Sequence, residues 1–93
     1  MNMKIRILIL EDRPADAELM LRELRRMGYE PEWTRVETEP EYLAKLDRGW
    51  QIILADYNLP QFTGLRAAEL LKARGLDIPL IIVSGDVPVA VEN

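Results

Sequence analysis

The run Ile5-Arg6-Ile7-Leu8-Ile9-Leu10 constrains this chain more than any other feature. Nearly unbroken apolar character over so short a stretch is what a central strand shows when helices cover both faces of its sheet. A second run, Ile52-Ile53-Leu54-Ala55, and a third, from about Pro79 to Val83, alternate with stretches of helical periodicity. That order is the pattern of βα units around a parallel sheet rather than of a helix bundle or a sandwich.

The punctuation between the runs defines the elements. The first strand is read as Lys4 to Leu10 and is followed by a helix from about Pro14 to Met27. Pro14 is tolerated in the first helical turn, Asp16 and Glu18 favour the N-terminal end, and Gly28 ends the helix. Its inward stripe is Ala17, Met20, Leu21, Leu24 and Met27. A weaker strand, about Glu32 to Val36, sets Trp33 and Arg35 against Thr34 and Val36, which suits a half-exposed edge. A short helix opened by Glu39-Pro40-Glu41 runs through about Leu46, with Tyr42, Leu43 and Leu46 facing inward and Trp50 packed beneath. The third strand is Ile52 to Asp56, followed by a helix from about Leu65 to Arg74, and the fourth is about Pro79 to Val83. Asp86 is placed to cap a further helix beginning at Val87-Pro88. No repeat, linker or low-complexity segment interrupts the chain, so residues 1–93 are read as a single domain.

Acidic residues end two of the apolar runs: Glu11 and Asp12 follow the first, and Asp56 closes the other. If those strands are parallel neighbours, their C-terminal ends lie roughly 5 Å apart and the carboxylates share one pocket. Crowded hard oxygens lower their energy by binding a divalent cation, and Mg²⁺ suits one or two carboxylates that leave coordination positions open for phosphate. Two of these acids also have an ordinary structural reading. Asp12, ahead of Pro14, could cap the first helix, Asp56 could form a local turn with Asn58, and Arg13 could pair with a neighbouring acid.

Composition narrows the chemistry. The chain has no cysteine, which removes disulfides, thiol catalysis and thiolate metal sites, and no histidine, which removes the commonest general base. A phosphoryl group on this protein must therefore arrive from outside. The formal net charge of −4 disfavours nonspecific nucleic-acid binding, leaving proteins as the expected partners. No apolar run approaches the roughly 20 residues that span a bilayer, and Met1-Asn2-Met3-Lys4 leads straight into a strand, so the expected location is cytoplasmic.

Glu11-Asp12 after the first strand, Asp56-Tyr57-Asn58-Leu59-Pro60 with Gly64 after the third, and Ser84-Gly85 after the fourth together resemble the receiver domain of two-component response regulators. The resemblance spans the whole chain in order and spacing. It implies a flavodoxin-like α/β three-layer sandwich with a parallel sheet of order 2-1-3-4 in this chain, the pocket lying at the strand C-termini by the switch point between strands one and three. It further implies that Asp56 takes a phosphoryl group from a histidine kinase or phosphotransfer protein. Mg²⁺ would be held by Glu11, Asp12, Asp56 and the Asn58 backbone carbonyl, with Ser84 donating to a phosphoryl oxygen. Catalysis would extend only to self-phosphorylation and self-dephosphorylation.

Receivers usually continue with a fifth strand and a fifth helix, and the resemblance places neither in this chain. The lysine that pairs with the aspartyl phosphate belongs to that missing strand, whereas Lys4, Lys45 and Lys72 fall at a strand start or on helices. An uncovered edge on strand four is then expected, open to dimerisation or a domain swap. A pseudo-receiver that docks without phosphorylation is the alternative function. A third reading, an Mg²⁺-dependent phosphohydrolase, lacks a second acid at Asn58.

Overall fold

Four residues of the first strand, Ile7, Leu8, Ile9 and Leu10, have no accessible surface at all. This is the physical result of placing β1 (Met3–Leu10) inside a sheet of order β2-β1-β3-β4-β5 with helices against both faces. The computed structural model describes residues 3–57, 59, 62–84 and 87–91, with Ser84 and residues 87–91 described by backbone alone. β2 (Tyr29–Val36) and β3 (Ile52–Asp56) flank β1 in parallel, and β4 (Leu80–Ser84) pairs in parallel with β3. The expected α/β arrangement, four parallel strands in the order 2-1-3-4, is what the chain adopts.

Pleat alternation sends the β1 side chains to opposite faces. Ile7 and Ile9 pack with Leu54 against Ala17 and Leu21 of α1 (Pro14–Arg26) on one face. Leu8, Leu10, Val36, Ile53, Ala55, Leu80 and Ile82 form the other core with α2 (Glu39–Lys45) and α3 (Gly64–Ala73). Trp50 packs in that core and donates its indole N–H to the Lys45 carbonyl at 2.7 Å, while Tyr42 donates its hydroxyl to the Ala67 carbonyl at 2.9 Å, tying α2 to α3.

The caps explain where the helices start. Thr38 accepts from the Glu41 N–H at 3.3 Å while the Glu41 carboxylate accepts from the Thr38 N–H at 3.2 Å, a reciprocal box that fixes α2 one residue after Thr38. α1 ends at Arg26 with Met27 as its C-cap, and the chain then turns at Gly28, whose φ of +95° is a backbone conformation that a residue bearing a Cβ resists. Met27 is consequently turned outward and is 70% exposed, so the inward stripe of α1 stops at Leu24. β2 begins at Tyr29, three residues earlier than its alternation predicts, because its whole length pairs with β1 from Met3↔Tyr29 to Leu10↔Val36.

Two expectations are corrected. Residues 87–91 form strand β5 (Val87–Val91), antiparallel to β4, in place of a helix opened by Val87-Pro88; a fifth strand is therefore present, although not in the parallel sense. Three valines in five residues favour the pleated conformation, and Pro88, which has no N–H to give, is tolerated at a sheet edge. Only two residues separate the strands, a length that closes an antiparallel pair and cannot make a parallel crossover. As a second consequence, the β4 edge expected to lie open for dimerisation or a domain swap is paired within the chain from Leu80↔Val91 to Ser84↔Val87.

Gly64 at the start of α3 is a point of close approach. A Cβ at this position would stand 2.9 Å from Ile82 Cγ1 and 3.0 Å from its Cδ1, inside ordinary contact. Gly64→Ala is predicted to cost about 1–2 kcal/mol, overpacking outweighing alanine's better helix propensity. Urea unfolding checks this, and an unchanged midpoint would contradict the close contact.

Candidate functional site

Register brings the acids together. Leu10 pairs with Ala55 across the β1–β3 ladder, so the residues that follow, Glu11 and Asp56, stand side by side at the sheet's C-terminal edge. Glu11 continues the sheet pattern by donating its N–H to the Val36 carbonyl of β2 at 3.1 Å, and Tyr57 donates to the Val83 carbonyl of β4 at 2.9 Å. The two segments are thus held from opposite sides of the sheet. One carboxylate oxygen from each of Glu11, Asp12 and Asp56 lies within 4.8 Å of the other two.

The three acids differ in surroundings. Glu11 is 1% exposed, whereas Asp12 and Asp56 are half-buried. The Glu11 carboxylate accepts the Arg13 N–H at 3.0 Å. Burial pushes the Glu11 carboxyl up to about 7, against the opposing effect of that N–H. The adjoining Asp12 carboxyl and the negative charges of Asp56 and Asp16 push in the same direction as burial. Among the described residues, none of the ion pairs involves Glu11, Asp12 or Asp56. A buried, uncompensated set of carboxylate oxygens with partly open neighbours is a donor set for a small hard cation such as Mg²⁺.

The structure also decides between roles for the residues beside the acids. The N-cap of α1 is Arg13, with no side-chain cap, so the Asp12 carboxylate is not used to close that helix. Arg13 contributes its backbone N–H to Glu11 and no ion pair among those described. Ser84 is the last residue of β4, beside the strand that carries Asp56. Asn58 lies outside the described residues. Lys4 is in the exposed start of β1, Lys45 ends α2 and Lys72 lies in the last turn of α3.

One contact was not legible in the sequence: Arg35 of β2 donates from Nη1 to the Glu11 carbonyl at 3.0 Å and to Glu37 Oε1 at 2.7 Å. Strand alternation could place Arg35 on one face with Trp33, but the pairing Ile9↔Arg35 is needed to bring it to the end of β1. The Thr38 capping box, by contrast, has a sequence signature in Thr38-Glu39-Pro40-Glu41.

These features coincide with a family. The response regulator receiver domain matches residues 7–92. The cell cycle transcriptional regulator CtrA of Caulobacter vibrioides, from two strains, is 30% identical over 81 residues, covering 87% of this chain and 35% of that protein. A solved chain in which a yeast Spc42 trimeric coiled-coil segment is fused to another structure has the same fold, with a TM-score of 0.73 at 23% identity. That similarity covers 94% of this chain and 56% of the solved one. The chain belongs to the response regulator receiver domain family. It spans about a third of the length of the curated relatives it matches. Among the described residues, no helix is long and apolar enough to cross a membrane.

Proposed function

We propose that this receiver domain accepts a phosphoryl group on Asp56 from a histidine kinase or phosphotransfer protein in the cytoplasm and thereby switches its protein interactions. The observation that carries this reading is the convergence of Glu11, Asp12 and Asp56 at the C-terminal edge of β1 and β3, within 4.8 Å and with no ion-paired cation among the described residues. Parallel α/β sheets bind ligands at this switch point, where two adjacent strands send their connections to opposite faces. Residues 1–93 act as one receiver-like unit.

Glu11, Asp12, Asp56 and the Asn58 backbone carbonyl would hold Mg²⁺. When bound, the ion offsets negative charge on the phosphoryl oxygens and on the acids. An Asp56 carboxylate oxygen attacks the phosphorus of a phosphohistidine. The new P–O bond forms as the P–N bond breaks, and the departing imidazole keeps the nitrogen electron pair and takes a proton from solvent. The product is an acyl phosphate, which the Ser84 hydroxyl engages through one phosphoryl oxygen. Hydrolysis by water returns Asp56 to its carboxylate, so the chain's own catalysis ends at self-phosphorylation and self-dephosphorylation.

Incubation with acetyl phosphate and Mg²⁺ is expected to add the mass of one phosphoryl group to the wild type and none to Asp56→Asn. Ser84→Ala is expected to retain the increment, because its hydroxyl acts after transfer. A wild type that gains no mass would overturn the reading. A second function is docking without phosphorylation. Partner binding that persists unchanged in Asp56→Ala, together with an unphosphorylated wild type, would select it.

A further inference from the structure

β2 carries none of the acids, yet it controls the segment that does. The Glu11 N–H is fixed by the Val36 carbonyl at 3.1 Å, and the Glu11 carbonyl is fixed by Arg35 Nη1 at 3.0 Å. The second bond matters more for Asp12. A carbonyl shares its rigid peptide plane with the next residue's nitrogen, so holding the Glu11 oxygen fixes the direction in which the chain enters Asp12. The Asp12 carboxyl hydrogen-bonds the Glu11 carboxyl, but among the described residues no bond from the Asp12 backbone sets that direction, and α1 begins only at Pro14.

Arg35 is built for the task. It lies in register with Ile9, on the α1 face of the sheet, and its side chain is 26% exposed. Glu37 Oε1, 2.7 Å away, accepts from the same Nη1, so the guanidinium is tied both to a strand end and to a carboxylate of its own segment.

We propose that Arg35 is a positioning residue for the acid pair, orienting the Glu11–Asp12 peptide so that Asp12 meets Asp56 across the mouth of the β1–β3 switch point. This rests on the reading of the three acids as a cation site. Residues that orient a metal's ligands without touching the metal typically change affinity by about 10–100-fold.

The test is calorimetric titration of Mg²⁺ into wild type, Arg35→Met, Arg35→Lys and Arg74→Met. The last removes an equal charge from the exposed Arg74–Asp47 pair and serves as the control. Arg35→Met is expected to bind Mg²⁺ at least about tenfold more weakly, Arg35→Lys to recover part of the loss by keeping one donor, and Arg74→Met to match wild type. A readout in EDTA separates position from metal: in Arg35→Met the amide resonances of Asp12 and Arg13 move while those of α3 stay. Unmoved Asp12 and Arg13 amides, or Arg35→Met affinity equal to wild type, would overturn the positioning role. A wild type that binds no Mg²⁺ while those amides move in Arg35→Met would overturn the cation reading and leave Arg35 orienting the loop.

Discussion

In EDTA, the folded chain should lose stability as the pH rises from about 5 to about 8, the reverse of ordinary acid denaturation. Glu11 is responsible: its carboxyl, raised from 4.5 to about 7, binds a proton more tightly folded than unfolded. The stabilisation is complete below the unfolded value and is lost as pH climbs through the folded one. At about 1.4 kcal/mol per pKa unit, a rise from 4.5 to about 7 makes the full loss roughly 3–4 kcal/mol. The window is clean because the chain has no histidine, leaving the α-amino group as the other ordinary titration there.

A divalent cation reverses the trend. It competes with the Glu11 proton and offsets the charges of Asp12 and Asp56, so Mg²⁺ should raise the thermal midpoint more at pH 8 than at pH 6, with proton release on binding. Asp56→Asn removes one of the charges that raise Glu11, and its pH midpoint in EDTA should fall. Thermal melts over this range, with and without Mg²⁺, check both statements. A midpoint in EDTA that rises with pH would contradict the first.

Tyr42→Ala should bring the domain close to unfolding at ambient temperature. Tyr42 is fully buried, its ring centroid is 5.1 Å from that of Phe62, and its hydroxyl reaches the Ala67 carbonyl. Truncating a large buried aromatic costs about 3–5 kcal/mol through lost transfer energy and the cavity left behind. A chain of this length holds roughly 5–14 kcal/mol in total, so the loss is a large share. Tyr42→Phe keeps the ring and loses one hydrogen bond, costing about 1 kcal/mol. Urea midpoints for the two variants should separate accordingly, and equal midpoints would mean that the ring contributes nothing beyond its hydroxyl.

Much of the site was legible because its signals are local. The apolar run of β1 and the shorter run of β3 each end in acid, and a period-two pattern fully buried on both faces has one natural setting, the middle of a parallel sheet. Tyr42 and Leu46 fell on the inner face of α2 as their spacing requires. Met27 did not follow its stripe, because helical periodicity says nothing about where the Gly28 turn releases the chain. The 87–91 segment went to strand rather than helix because Pro88 fits either a first helical turn or an edge strand, and pairing with β4 decided between them.

The sequence by itself determined the elements that carry Glu11, Asp12 and Asp56 and the end of each at which they stand, since periodicity and chain punctuation are properties of neighbours along the chain. Only the tertiary structure decided the register that sets Leu10 against Ala55, the burial that raises Glu11, and the reach of Arg35 from β2 to the Glu11 carbonyl. Those depend on pairing between residues as far as 45 positions apart, such as Leu10 and Ala55. The physical reason is that local propensity fixes which way a side chain points, while ladder hydrogen bonds and core packing fix what it meets.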